Sequence, residues 1–218
     1  ISLMDHTPGQ RQFVSLDAYK IYYQGKRGFS DAQMDEFIRQ RKERASGLAP
    51  DNRKKLSAIA SERGIAIASH DDATTDHVDE AIELKTKIAE FPTTVEAARA
   101  SHAAGMAVLM GAPNVVRGGS HSGNVSAKEL AEAGVLDVLS SDYIPMSLLQ
   151  AAFQLANEVE AISLPRAVAM VTATPAAAIG LDDRGKLEPG LRADLVQVKM
   201  VGSVPIVRGV WREGRRVA

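Results

Sequence analysis

Five short apolar runs constrain the fold of this chain more than any other feature: "ISLMDH" (1–6), "GIAIASHDD" (64–72), "KIAEFPTT" (87–94), "GMAVLMGAPN" (105–114) and "VLDVLSSDY" (135–143). Each is continuously apolar rather than alternating, and each ends in polar or small residues. Continuous apolarity is what a strand buried on both faces requires, as in a parallel sheet covered by helices. From residue 64 onward the runs start about 20 to 30 residues apart, the spacing that helical crossovers between parallel strands need.

Helix signals fill the gaps. Thr93 with Glu96, and Ser126 with Glu129, have capping-box spacing ahead of "VEAARASHAA" and "KELAEAG". Gly105 and Gly134 stand where a helix C-terminus favours glycine. A longer insert separates the first two runs. In it, "SDAQMDEFIRQRKERA" predicts a helix capped by Ser30 and Gln33 with Met34, Phe37 and Ile38 on one face, and "DNRKKLSAIASERG" predicts a second. After the fifth run, "PMSLLQAAFQLANEV" and "LPRAVAMVTATPAAAIG" read as helices ending near Gly180. The pattern then changes to β-rich runs, "RGKLEPGLRADLVQVKM" and "VPIVRGVWREGRRVA", with turn pairs Pro189-Gly190 and Glu213-Gly214. The expectation is an α/β domain over 1–180 followed by a small β unit over 181–218.

Composition narrows the chemistry. A formal net charge of -1 gives no reason to expect a nucleic-acid partner or an anionic membrane surface. No apolar run approaches the roughly 20 residues that span a bilayer. Cysteine is absent, which fits a cytoplasmic setting and leaves only His, Asp and Glu as metal ligands.

In α/β barrels the polar residues at the C-terminal ends of parallel strands form the active site. Those ends here carry His6 beside Asp5, His70 beside Asp71 and Asp72, then Glu90, Asn114 and Asp142. Imidazole with carboxylate is the donor set that zinc or manganese accepts without thiolate. It also suits metal-assisted hydrolysis, in which a carboxylate or imidazole takes the proton of the attacking water. Asp71 and Asp72 have a second reading, as acids favoured by the N-terminal dipole of the next helix. His77 and His102 fall inside helical stretches and read as structural. "VVRGGSHSGN" and "DHTPGQRQF" are candidate anion sites, offering Arg117 and Arg11, the hydroxyls of Ser120 and Ser122, and glycines that let the backbone approach a phosphate. Neither matches a Walker loop.

The segments "RGKLEPGLRADLV" and "VWREGRRV" resemble the C-terminal β return of the amidohydrolase superfamily. "SLMDHTPGQRQF", "SHDDATTDHVDEAIEL", "AEFPTTVEAARASHAAGMAVLMGAPNVVRGGSHSGN" and "VLSSDYIP" are similar to its phosphonate-utilising members of the carbon–phosphorus lyase pathway. The resemblance covers essentially the whole chain. It implies an α/β fold, the C-terminal portion of a metal-dependent (β/α)8 barrel with part of a small β-sandwich domain. It implies hydrolysis of α-D-ribose 1-methylphosphonate 5-triphosphate to its 5-phosphate with release of diphosphate. It also implies a divalent metal, zinc foremost with manganese or iron as alternatives. Carried onto this chain, His6, His70 and Asp142 take metal-ligand positions and Asp142 is also the proton acceptor. His121 would stabilise the leaving group, with Arg117, Ser120, Asn114 and Arg11 as substrate contacts.

Two departures accompany the resemblance. The paired histidines that follow the first barrel strand in the superfamily, and the bridging ligand of a middle strand, have no counterpart here. Counting back from Asp142 as strand eight makes "SLMDH" strand four, whereas the superfamily carries its ligand histidines on strands five and six. Either one run is not a barrel strand or the ligands have shifted. The expectation is a chain lacking the N-terminal part of the barrel, forming a homo-oligomer that covers the exposed sheet edges. A dihydroorotase-like or N-acetyl-sugar-phosphate deacetylase activity on the same scaffold, and a non-catalytic subunit, are the alternative readings.

Overall fold

The computed structural model describes residues 1–9, 11, 15–120 and 123–218. They form two compact units, Ile1–Met106 and Ala107–Ala218. The first holds α1 (Leu16–Arg27), α2 (Asp31–Glu62), β1 (Ala68–His70), α3 (Thr75–Glu83), β2 (Ile88–Glu90) and α4 (Val95–Ala103). The second holds β3 (Ala107–Gly111), α5 (Ala112–Arg117), α6 (Ala127–Glu132), β4 (Val138–Ser140), α7 (Ser147–Glu158), α8 (Leu164–Ala169), α9 (Ala173–Ala178), β5 (Leu195–Val201), β6 (Val204–Arg212) and β7 (Arg215–Arg216).

In the first unit β1 and β2 run parallel in the register Ala68↔Ile88 and His70↔Glu90. The N-terminal run lies along the other edge of β1 through a single parallel bridge, Ser2↔Ala68. The Leu3 N–H donates to the Ala68 carbonyl at 2.9 Å, and the Ala68 N–H donates to the Ile1 carbonyl at 2.8 Å. "ISLMDH" therefore has the direction and place of a strand but only one rung of its ladder. Leu3, Ile67, Ala60 of α2 and Leu84 after α3 form the apolar cluster behind this edge. A second cluster joins Tyr19 of α1 to Met34 and Ile38 of α2, with Tyr23, Phe29 and Phe37 packed against it.

The insert corrects one expectation. The two predicted helices are one, α2, which runs 32 residues straight through Pro50. A helical proline removes one intrahelical hydrogen bond and crowds the preceding turn. Pro50 is exposed, so water can satisfy the carbonyl it frees. The Ser30–Gln33 capping box is present as expected, and so is that of Ser126 and Glu129 on α6. The cap of α4 shifts by one residue: Thr94, not Thr93, accepts the Ala97 N–H. Gly105 and Gly134 take left-handed φ values of 81° and 75° after α4 and α6.

In the second unit β3 and β4 are parallel, with Leu109↔Val138 and Gly111↔Ser140 in register. Val108, Leu130, Leu136, Val138, Leu155, Ile162 and Met170 are its large fully buried side chains. The predicted C-terminal β region is an antiparallel sheet in the order β5-β6-β7. The turn between β6 and β7 has positive φ at both Glu213 (52°) and Gly214 (77°), the backbone that a two-residue hairpin needs. Among the described residues no helix is long and apolar enough to cross a membrane.

Tyr19 supplies a pH test of the α1–α2 packing. Its side chain is 1% exposed, and burial, aided by the neighbouring Tyr23, pushes the phenol up to about 12. An unfolded tyrosine ionises near 10, so folding favours the neutral phenol. That contribution is complete below about pH 10 and is lost as pH rises towards 12. We expect the urea midpoint to fall over that window and the fall to shrink in Tyr19→Phe; an equal fall in the variant would show that another group carries it.

Candidate metal centre

The site of the first unit is assembled where β1 and the N-terminal run both end. His70 is the last residue of β1, 7% exposed, and opposite it in register stands Glu90, the last residue of β2. The Glu90 carboxylate lies 2.7 Å from His70 Nδ1. It also accepts a short hydrogen bond from the Ser2 hydroxyl. Burial works to raise the Glu90 carboxyl, yet the bonds from His70 and Ser2 hold it below the usual carboxylate range. Burial likewise opposes a charged His70, but the Glu90 bond and the negative charge of Asp71 outweigh it and raise the imidazole. Glu90 thus fixes the Nδ1–H tautomer of His70 and leaves the Nε2 lone pair pointing the other way.

Asp71 lies on that other side. Its φ is 56°, a left-handed state that Asp tolerates better than most residues but that is uncommon outside glycine. Its amide stays satisfied by the Glu90 carbonyl at 2.9 Å. This turn of the backbone places Asp71 Oδ2 3.3 Å from His70 Nε2 and 3.4 Å from His6 Nε2. All three ligand atoms lie within 4.8 Å of one another.

The donor set passes a physical test for a divalent ion. His6 Nε2 and Asp71 Oδ2 are buried and have no hydrogen-bond partner among the described residues. A buried polar atom left so costs about 1–3 kcal/mol unless something else satisfies it. Tetrahedral ligands bonded at about 2.0–2.2 Å to zinc stand roughly 3.3–3.6 Å apart, the spacing that Asp71 Oδ2 keeps from both imidazoles. His6, His70 and Asp71 could hold the ion, with Glu90 orienting His70 from behind.

An ion-pair chain fixes the surroundings. Arg11 is 5% exposed; its guanidinium pairs with Asp72 and with Glu80 of α3, and approaches the His70 carbonyl at 3.5 Å. Arg53 of α2 reaches Glu80 at 2.9 Å and Asp5 at 3.1 Å. Asp5 also accepts the Thr7 N–H and hydroxyl, at 3.0 and 2.6 Å. Burial works to raise the Asp5 carboxyl, but these bonds and Arg53 hold it below its ordinary value. The chain of charges ties α2 and α3 to the segments that present His6 and His70.

The other sequence-selected residues have these places. Asp142 lies in the second unit, two residues beyond β4, with φ 48°. Gly111 makes room for it: a Cβ there would stand 2.9 Å from Asp142 Oδ2. Asn114, in α5, accepts the Ala127 N–H at 2.9 Å and so anchors the start of α6. Arg117, at the end of α5, donates to the Tyr143 hydroxyl at 3.2 Å. Ser120 follows the two glycines after α5. His121 and Ser122 lie outside the described residues. Arg11, selected as an anion contact, has its guanidinium engaged by Asp72 and Glu80. His77, in α3, accepts the Ala73 N–H at its Nδ1 at 3.1 Å.

Asp71 was open in sequence to a reading as a helix N-terminal acid. The first turn of α3 begins only at Thr75, capped by Thr74, which removes that role. The pairing of Glu90 with His70 had one signal in sequence: both residues end an apolar run.

Comparison with known proteins agrees with this architecture. The chain is 53% identical over its full 218 residues to the α-D-ribose 1-methylphosphonate 5-triphosphate diphosphatase of Escherichia coli K12, and spans 58% of that protein's length. Among solved structures, an amidohydrolase from Thermotoga maritima aligns over 91% of this chain and 60% of its own, with a TM-score of 0.55 and 20% identity. The ochratoxinase of A. niger aligns over 77% and 45%, with a TM-score of 0.57 and 18% identity. N-acetylglucosamine-6-phosphate deacetylase from Pasteurella multocida aligns over 87% and 61%, with a TM-score of 0.54 and 17% identity. At such identities these structures speak for the fold alone. The parallel strand pairs and the small antiparallel sheet fit the C-terminal portion of a barrel of this kind. Residues 3–218 match the amidohydrolase family, and the chain belongs to it.

Proposed function

We propose that this chain carries a metal-dependent hydrolytic centre that cleaves α-D-ribose 1-methylphosphonate 5-triphosphate to the 5-phosphate and diphosphate. The observation that carries the reading is the convergence of His6 Nε2, His70 Nε2 and Asp71 Oδ2, two of them buried without a hydrogen bond among the described residues, in front of a Glu90-oriented imidazole. The substrate comes from the relative that is 53% identical over this whole chain.

His6, His70 and Asp71 would hold a divalent ion, zinc by these donors, which would supply a water of near-neutral pKa and positive charge for anhydride oxygens. Glu90 and Ser2 keep His70 in one tautomer and one orientation. Asp71 balances the charge of the site. Asp142 of the second unit is the proposed proton acceptor, and Gly111 leaves room for its carboxylate. Water adds to the phosphorus next to the ribose, the anhydride bond to the outer two phosphoryl groups breaks, and diphosphate leaves. Arg117 and His121 are the proposed partners of the charge that develops on it.

Diphosphate release from the ribosyl triphosphate tests the reading. The parent chain with zinc releases diphosphate, and Asp142→Asn lowers kcat by about 10²–10⁴-fold, the usual contribution of a positioned general base. Equal rates in both proteins would remove Asp142 from the mechanism. A zinc-loaded parent that releases none would sink the activity.

A further inference from the structure

A cavity of about 380 Å³ opens beside the loop that carries His6. Its volume is in the range of about 300–1,000 Å³ usual for small-molecule sites. Asp5, Thr7 and Gly9 line one wall, and Lys42, Ser46 and Arg53 of α2 line the other. Positions 42, 46, 49 and 53 recur at helical spacing and share one face of α2. Ala49, between the two cations, is too small to close the space.

The charges in this cavity are unequally spent. Asp5 is saturated by Thr7 and Arg53, and Arg53 is shared between Asp5 and Glu80. No carboxylate pairs with Lys42 among the described residues. Its ammonium faces the Pro8–Gly9 turn, where Gly9 has φ 79° and a Cβ would lie 4.0 Å from Lys42 Nζ. A side chain at Gly9 would crowd the space in front of the ammonium and strain the turn. The cavity therefore has a compensated pair, Asp5 with Arg53, and an uncompensated cation, Lys42, on the same face of α2. That distribution suits an elongated polyanion better than a single carboxylate.

We propose that this cavity receives the outer phosphoryl groups of a polyphosphate substrate, with Lys42 holding their terminal oxygens. The inference rests on the triphosphate reading above and concerns the outer phosphoryl groups of the bound substrate before cleavage. Lys42 is exposed on a helix, so its substitution leaves the fold intact.

Inorganic tripolyphosphate titrated calorimetrically into the chain at about 50 mM salt, where screening is weak, reads the site without chemistry. Lys42→Ala weakens binding about tenfold, the size of one charge-assisted contact. Lys42→Arg keeps it within about threefold. Ala49→Glu abolishes it by placing a like charge on the same face. Metal content and helicity are unchanged in all three. Equal affinity in all four proteins, or no binding to the parent, overturns the proposal. In turnover, Lys42→Ala raises KM about tenfold at nearly constant kcat, the mark of a contact made equally in ground and transition states. Lys42-dependent binding without diphosphate release upholds the cavity and overturns the hydrolase reading. Diphosphate release with an unchanged KM in Lys42→Ala does the reverse.

Discussion

Replacing His70 by Ala empties the metal centre. The parent chain, refolded or purified with zinc, is expected to hold it near stoichiometrically, and His70→Ala to fall below about a tenth of that by elemental analysis. Two reasons combine. The variant loses one of three converging ligand atoms, and it also leaves Glu90 and Ser2 with a hydrogen-bond partner gone. On the proposed function, diphosphate release is expected to fall with the metal, by at least about 10³-fold, because the water activation and positive charge the ion would supply are lost. Glu90→Gln is the graded control. It keeps all three ligand atoms but removes the carboxylate behind His70, and changes of this kind cost about 10–100-fold in metal affinity. Full zinc occupancy in His70→Ala, with the parent's affinity, would mean that the ion is held elsewhere.

What the sequence disclosed and what it hid follow from range. Local signals came through. Four of the five continuous apolar runs hold parallel strands among the described residues, as segments buried on both faces favour, and the first makes a single parallel bridge. The capping boxes at Ser30 and Ser126 involve partners three residues apart, so a single turn of chain contains the whole argument. Glu213-Gly214 announced its hairpin for the same reason. Pro50 misled because a proline's effect depends on whether its freed carbonyl can reach water, a property of the surface and not of the window around it. Asp71 was ambiguous because an acidic pair after a strand has the same composition whether it caps a helix or faces an ion. The start of α3 at Thr75 and the left-handed backbone of Asp71 separate the two, and in a non-glycine residue that conformation leaves no trace in the sequence. The ion pairs of Arg11 were the least legible. Its ion-pair partners Asp72 and Glu80 stand 61 and 69 positions away, and an Arg beside glycines reads equally well as a phosphate contact.

That reading of Arg11 leads to the second large effect, on stability. Arg11→Met is expected to destabilise the protein by about 3–5 kcal/mol, the cost of removing one member of a buried ion pair. The cost arises mainly at Asp72, which is 1% exposed. Burial already pushes its carboxyl up, and bonds from Ser69 and Arg11 offset only part of that. Without Arg11 the carboxylate is left in a poorly solvated place with no cation against it. Glu80 suffers less, because Arg53 still reaches it. Removing the second charge should therefore return part of the loss: Arg11→Met combined with Asp72→Asn is expected to be more stable than Arg11→Met alone. The double-mutant cycle in urea, read by far-ultraviolet circular dichroism, then gives a coupling energy between Arg11 and Asp72 in the range of about 0.5–3 kcal/mol that directly contacting residues show. A substrate-binding arginine behaves differently, since its loss would raise KM and leave the urea midpoint within about 0.5 kcal/mol of the parent. Additive losses in the cycle, with a raised KM, would return Arg11 to the substrate and remove it from the framework that holds His6 and His70.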